Sequence, residues 1–273
     1  MKLGEAFTGA KKLLPPLEAR MLVMHAASVT ATDIAAHPER DFPAIRIREF
    51  MSLVERRLAG EPMAYLVGKR EFYGREFRVT PAVLIPRPET ESLVEVALKK
   101  VSRDGTPRIL DLGAGSGCVA ITLALELGSE VTAVDVSPEA LAVARDNAAR
   151  LGAHVKLIES DWFSAVEGQF ELIVGNPPYV AEGDPHLAQG DLRFEPMTAL
   201  ACGADGLSAI RRIVADAPYH LAPGGWLFVE HGYDQADAVR GLLEQSGFGA
   251  IEQHRDLADI IRVSGGALTA GNT

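Results

Sequence analysis

The sequence predicts an α/β chain in which a parallel sheet carries helices on both faces, preceded by a small helical domain and a β-hairpin linker. Three observations lead there. Residues 1 to about 70 carry only helix-period spacing of apolar side chains, residues 71–85 change toward alternation, and from residue 88 onward strand-like and helix-like segments take turns. Parallel strands require this, because each must be reached by a crossover that covers a face of the sheet.

Near the start, Leu13, Leu17, Met21, Leu22 and Met24 are expected close to one helical face, and Ile47, Phe50, Met51, Val54 and Leu58 repeat the spacing. Pro15-Pro16 and the stretch from His37 to Pro43 are the expected breaks. Phe72, Phe77, Val79 and Val83, divided by a turn at Gly74, predict the hairpin. The alternating part predicts a helix over 88–101, a strand ending at Leu112, a helix from about Val119 and a strand over 130–134. A helix over 138–151, strands near 155–158 and over 170–174, a helix near 207–221 and a strand over 226–230 continue it. A last helix over 234–246 and a strand around 250–254 follow, and 265–273 is expected to fray.

At 273 residues with 47% hydrophobic and 23% charged side chains, the chain has ordinary globular usage and length for one large domain and one small one. Cys118 and Cys202 lie far apart, and the first thirty residues lack the apolar run of a secretory signal, so a reducing cytoplasm is expected. The longest apolar stretch, near 119–127, is broken by Glu126 and falls short of a bilayer core of roughly 30 Å. No membrane association is expected. The net charge of −10 is uneven: residues 1–80 carry 13 Lys and Arg against 10 Asp and Glu, and residues 81–273 carry 14 against 27. The acidic larger part argues against a nucleic-acid substrate, since phosphate neutralisation dominates that kind of affinity. Seven scattered histidines without ligand spacing predict no metal site.

Where the first strand of the sheet gives way to a helix, the chain reads Asp111-Leu112-Gly113-Ala114-Gly115-Ser116-Gly117. Glycines allow the backbone to approach a ligand that a Cβ would block. Their spacing of two and two is not that of the dinucleotide fingerprint, and no Lys follows as in a phosphate-binding Walker loop. A ligand without a large phosphate charge is indicated; the plain alternative is a tight turn. Asp135, 22 positions after Gly113 at the end of the next strand, can accept both hydroxyls of a ribose, or can cap the helix that Ser137 and Pro138 open. Asp161-Trp162, after the third strand, offers a carboxylate for an exocyclic amine and an aromatic face.

The most specific feature is Asn176-Pro177-Pro178-Tyr179, directly after the strand over 170–174. Two prolines stiffen the turn and remove its backbone donors, leaving carbonyls and the Asn176 side-chain oxygen as fixed acceptors. Two acceptors suit an NH2 group. Holding both protons of a planar amide turns the nitrogen lone pair away from carbonyl conjugation and toward an incoming methyl, and Tyr179 can pack against the flat group. Together with a nucleoside cleft, this indicates methyl transfer from S-adenosylmethionine to an amide-type nitrogen.

DLGAGSG, AVDVS, SDWF and NPPY together resemble the peptide chain release factor glutamine N5-methyltransferases, also called HemK-type proteins. The resemblance includes GKREFYGREFRVTPAVLIPRPETE at 68–91 and DPHLAQGDLRFEPMTAL at 184–200. It implies a Rossmann-like class I methyltransferase sheet, S-adenosylmethionine as cofactor, and the glutamine of the Gly-Gly-Gln loop in class 1 release factors as substrate. Carried over residue by residue, it implies cofactor contacts from Asp111, Gly113, Ala114, Gly115, Ser116, Gly117, Asp135, Asp161, Trp162 and Asn176. Asn176, Pro177, Pro178 and Tyr179 would hold the substrate amide, with Asn176, Pro177 and Tyr179 as catalytic residues. The expected domains are 1–70 for recognition, 71–87 as hairpin linker and 88–273 for methyl transfer.

Two departures stand out: Ala114 where a hydroxyl residue is common, and DLADIIRV at 256–263 where the family reads closer to DLAGIDRV. Ala114 can still serve through its backbone; Asp259 and Ile261 could alter the pocket edge or the sheet. Arg87 in Pro86-Arg87-Pro88-Glu89 could stand near the cofactor, or the segment could simply open a helix. Cys118 is expected as a packing residue, and Glu230-His231 could be read as an acid and base pair, but methyl transfer from a sulfonium needs no strong base. Competing functions are a ribosomal-protein glutamine methyltransferase, a nucleic-acid adenine N6-methyltransferase using the same turn, and a silent binding module.

Overall fold

The computed structural model describes residues 1–101 and 105–268. These fall into two compact units, Met1–Lys69 with Ala188–Phe194, and Arg70–Leu187 with the chain from Glu195 onward.

The first unit is helical: α1 (Leu3–Lys11), α2 (Pro16–Ala27), α3 (Ala31–Ala36), α4 (Ile47–Leu58) and α5 (Met63–Val67). Pro16 opens α2 at a position where its missing N–H costs nothing. Thr30 and Asp33 form a reciprocal cap on α3, the Asp33 N–H donating to Thr30 Oγ1 at 3.1 Å and the Thr30 N–H to Asp33 Oδ2 at 2.8 Å. The contact face of α2 is Ala19, Leu22, Val23 and Ala26, against Leu3, Phe50 and Leu53. The expected stripes hold in part: Leu22, Phe50 and Val54 are buried, whereas Leu13 lies beyond α1, and Leu17, Met51 and Leu58 are exposed. Ala19 and Ala26 share the helix contact with Leu22 and Val23, and small side chains there let the helices approach closely. Asp191 and Arg193 of the returning segment bond within this unit, to Arg57 at 3.4 Å and to the Ala59 carbonyl respectively.

The second unit opens with β1 (Lys69–Phe72) and β2 (Arg75–Arg78), joined through Tyr73 and Gly74, both at positive φ (52° and 72°) as a tight hairpin demands. There follow α6 (Glu91–Lys100), β3 (Ile109–Leu112), α7 (Cys118–Leu127), β4 (Val131–Asp135), α8 (Pro138–Leu151), β5 (Val155–Glu159) and β6 (Phe170–Gly175). The chain ends with α9 (Met197–Leu200), α10 (Ser208–His220), β7 (Leu221–Glu230), α11 (Ala236–Gln245), β8 (Phe248–Arg255) and β9 (Ile261–Leu268).

One sheet orders the strands β5-β4-β3-β6-β7-β9-β8. β5 through β7 run parallel, and β9 pairs antiparallel with both β7 and β8. The sheet is therefore mixed, not wholly parallel. Alternate residues feed two cores: Ile109, Ala133, Leu172, Val174 and Phe228 pack on α6 and α7, and Leu110, Leu112, Val134, Ile173 and Val229 pack on α10 and α11.

The expectation of a frayed end is corrected as far as Leu268, since Gly265 to Leu268 belong to β9; residues 269–273 lie outside the described ones. A Cβ on Gly265 would stand 2.2 Å from the Leu227 carbonyl oxygen and from the Phe228 ring, so this glycine marks a close approach of backbone to ring and not a loose tail. Asp259 and Ile261 fall at the β8–β9 turn and do not line the cavity described below. Asp259 has φ +63°, in the left-handed region that glycine enters without strain. Among the described residues, no helix is long and apolar enough to cross a membrane.

Candidate active site

In sheet order the chain runs β3, β4, β5 outward on one side and resumes with β6 on the other, so β3 and β6 flank the topological switch point. Loops at the carboxyl ends of strands diverge there and leave a crevice. Register makes this specific. Leu112 pairs with Val134 and Gly175, and Gly175 with Val229. The next residues along these four strands, Gly113, Asp135, Asn176 and Glu230, therefore form one row at the carboxyl edge of the sheet, where Asp135 and Glu230 close β4 and β7.

A cavity of about 400 Å³ opens over that row. It gathers Asp111, Gly113, Ala114, Gly115, Ser116, Asp135, Asp161, Trp162, Asn176 and Pro178 from the residues singled out in the sequence, and Arg87 as well. Gly117 is not among them: a Cβ there would press on Ile121 Cδ1 at 2.8 Å and Ala144 Cβ at 3.2 Å, so Gly117 serves the packing of α7 on α8. Pro177 and Tyr179 do not line it either, and Tyr179 packs on the core beneath.

The glycine loop is held from below. The N–H groups of Gly113 and Ala114 both donate to the Val134 carbonyl, at 2.9 and 2.8 Å, and Gly115 donates to Asp135 Oδ2 at 2.8 Å. Asp135 Oδ1 accepts the Ser137 N–H at 2.9 Å, while Ser137 Oγ caps α8 through the Ala140 N–H at 3.1 Å. Asn147 of α8, fully buried, donates to the Ser116 carbonyl at 2.9 Å and to the Arg78 carbonyl at 3.0 Å, tying loop and hairpin together. Asp111 accepts the Ala120 N–H at 3.1 Å, and burial pushes its carboxyl up to about 7, with the nearby Asp135 charge adding to the rise.

Trp162 adopts φ +52°, an uncommon conformation for its side chain, supported by Ser160, whose hydroxyl donates to the Trp162 carbonyl at 2.8 Å and accepts the Ala165 N–H at 2.9 Å. Its ring edge comes within 3.7 Å of where a Gly113 Cβ would stand. The Asp161 carboxylate is half-exposed and paired with Arg212 at 2.8 Å. Arg87 pairs with the buried Glu195 carboxylate, which also accepts the Ile85 N–H at 3.0 Å.

Asn176 Nδ2 donates to Thr90 Oγ1 at 3.1 Å, whereas Asn176 Oδ1 is buried without a partner. A buried acceptor in that state is costly unless something completes it. Tyr179 is anchored at both ends: its hydroxyl donates to Glu230 Oε1 at 3.2 Å, and its carbonyl accepts from Gln235 Nε2 at 2.9 Å. Burial raises the Tyr179 hydroxyl pKa, so the group stays protonated. Burial likewise lifts the Cys118 thiol to about 12, which leaves a packing residue and not a nucleophile.

Glu230 and His231 do not form the acid and base pair that their adjacency suggested. His231 Nε2 meets Ser264 Oγ at 2.7 Å and Nδ1 meets the Gly232 carbonyl at 2.9 Å, so both ring nitrogens are engaged away from the Glu230 carboxyl. Thr90, Asn147, Glu230 in its contact with Tyr179, and Gln235 escaped the sequence reading. Only Glu230 had a signal, as an acidic residue closing an otherwise apolar strand; the other three matter through partners remote in sequence.

A family model described as "Methyltransferase small domain" matches residues 90–191, and one described as "PrmC N-terminal domain" matches residues 4–68. A protein of Bordetella pertussis named "Release factor glutamine methyltransferase" is 52% identical, over 93% of this chain and 96% of its own length. One of the same name from Burkholderia pseudomallei is 49% identical, over 93% of each chain. Among solved structures, a methyltransferase from Pyrococcus furiosus aligns with a TM-score of 0.56 at 19% identity, covering 79% of this chain and 97% of that one, a likeness of fold. The chain belongs to the release factor glutamine methyltransferase family.

Proposed function

We propose that this enzyme transfers the methyl group of S-adenosylmethionine to the side-chain amide nitrogen of the glutamine in the Gly-Gly-Gln motif of class 1 release factors. One observation carries the reading: a buried, partnerless acceptor, Asn176 Oδ1, stands beside a nucleoside-sized cavity at the switch point. The partner that such an atom lacks is an N–H donor, and an amide NH2 supplies one.

The residues present fit the cofactor. Asp135 keeps lone pairs free on both oxygens for ribose hydroxyls. Ser116 Oγ is buried without a partner, and Trp162 offers an aromatic face. When bound, S-adenosylmethionine supplies an electrophilic methyl on a sulfonium. Asn176 Oδ1 accepts a hydrogen bond from one N–H of the substrate NH2, so that positive charge developing on nitrogen meets a fixed dipole. Pro178, which cannot donate, keeps the turn rigid. No strong base is required, because the proton on nitrogen becomes acidic once the methyl has arrived and leaves afterward. In this reading residues 1–70 receive the release factor, 71–87 form the hairpin linker, and 88–273 carry the transfer.

The substrate is tested by incubating the chain and labelled cofactor with a release factor, ribosomal protein and DNA in parallel, then locating the methyl by mass spectrometry. Label on the Gly-Gly-Gln glutamine is expected; label in DNA or ribosomal protein alone refutes the assignment. For the cofactor, Asp135→Ala is expected to weaken binding by about 1.5–3 kcal/mol, the range for hydrogen bonds to a charged group. Calorimetry with unchanged affinity would remove Asp135 from the site.

A further inference from the structure

The diproline turn cannot secure itself through Pro177 and Pro178, which have no N–H to give. Upstream it is fixed by the sheet, since Gly175 pairs with Leu112 and Val229. Downstream, the main chain at Tyr179 is met by a side chain from a remote loop. Gln235, buried just before α11, donates from Nε2 to the Tyr179 carbonyl at 2.9 Å and to the Asp205 carbonyl at 3.3 Å. Its Oε1 accepts the Gly232 N–H at 2.8 Å.

We infer that Gln235 is a positioning residue for methyl transfer: by clamping the Tyr179 carbonyl it sets where the turn presents Asn176 Oδ1. This rests on the reading of Asn176 as the acceptor for a substrate amide. Neither Gln235 nor Tyr179 lines the cavity, so Gln235 acts through the turn and not on the reactants.

Three features make the clamp specific. The partners of the Gln235 amide are main-chain groups of fixed polarity, a donor on one side and two acceptors on the other, so only one orientation of the amide satisfies them. Gly232 is itself held, because His231 Nδ1 meets its carbonyl and His231 Nε2 meets Ser264 of β9. Gly206, at φ +71°, crowds the same Tyr179 carbonyl: a Cβ there would stand 2.2 Å from that oxygen and 3.0 Å from Gln235 Nε2.

The consequence follows from stiffness. Both prolines lock φ, so the segment from Asn176 to Tyr179 moves as a body. Held at both ends it has one position; with the Tyr179 end released it can swing about the end of β6. The Tyr179 bond to Glu230 remains, but it holds the tip of a side chain and leaves the main chain free to shift. A displacement of about 1 Å at a reacting group can cost on the order of 10² in rate. The glycine loop and Asp135 keep their own hydrogen bonds, so the cofactor side is left in place.

Gln235→Glu tests this, since it keeps the length and the acceptor for Gly232 but turns a carboxylate oxygen toward two carbonyls. Single-turnover transfer to a release factor, at saturating cofactor and substrate, is expected to slow by about tenfold to a hundredfold, with cofactor affinity by calorimetry within about threefold of wild type. In the Asn176→Ala background the same substitution is expected to cost less than about threefold further, because the group it positions is gone. Gln235→Met, of similar length and uncharged, is expected to show the same pattern and carries the test if Gln235→Glu does not fold. A role confined to stability would lower the melting temperature and leave the rate of the folded enzyme unchanged, which overturns the assignment. A full, additive loss in the Asn176→Ala background overturns it too, as does a fall in cofactor affinity that matches the fall in rate. A wild-type chain that places no methyl on glutamine fails the substrate reading, on which the clamp depends, before any variant is compared.

Discussion

Asn176→Ala is expected to slow methyl transfer by about 10² to 10³ while leaving the fold and cofactor affinity intact. The size follows from removing one preorganised partner of the charge that develops at nitrogen, an effect comparable to deleting a single donor of an oxyanion hole. Loss is partial because cleft and diproline turn still bring the reactants together. Fold and cofactor pocket survive because Asn176 lies outside both apolar cores, and the hydrogen bond its side chain gives up is the one to Thr90. Single-turnover kinetics with saturating cofactor, paired with calorimetry, separates the two quantities. A rate within about threefold of wild type would take Asn176 out of the catalytic step.

Phe228→Ala produces the largest expected loss of stability, about 3–5 kcal/mol, the usual cost of emptying a buried phenylalanine site. The ring is fully buried on β7 and stacks on Trp226 at 5.5 Å between centroids and 2° between planes. It meets His254 of β8 edge-on at 5.9 Å. β7 is also the strand where the parallel part of the sheet turns antiparallel, through its pairing with β9. A hole there loosens both halves, and the glycine backbone facing the ring at Gly265 has no side chain with which to refill it. Against a total of about 5–15 kcal/mol, that is a large fraction. Urea unfolding followed by fluorescence and circular dichroism measures it; a loss below about 1 kcal/mol would mean that the site collapses around the gap.

Much of this was legible beforehand because period and punctuation are local. Pro138 and Gly152 bracket α8, and the apolar runs that became β3, β4 and β6 carry their own boundaries. The cofactor side was legible for the same reason, since the glycine loop, Asp135 and the diproline turn each follow a strand directly. What escaped is what sequence distance hides. β9 holds two adjacent glycines and reads as a tail, and only their neighbours explain them, Leu227 and Phe228 against Gly265 and Phe248 and Gly249 against Gly266. In the helical unit, contact through alanines at 19 and 26 was invisible to a rule that follows bulky side chains. Thr90, Glu230 and Gln235 became meaningful only when three loops converged on Asn176 and Tyr179.

All of the candidate chemistry sits at one rim of the sheet, and this leaves the opposite rim unburdened. The connections that enter β4 and β5, around Ser129 and Ala153, turn well away from the cavity on exposed or half-exposed residues. Surface turns of that kind tolerate added chain, since lengthening a loop costs little in closure entropy. A fluorescent tag or a short epitope spliced there would ride on the molecule as a passenger, so the protein can be watched or tethered by its quiet end while the other end stays open for work.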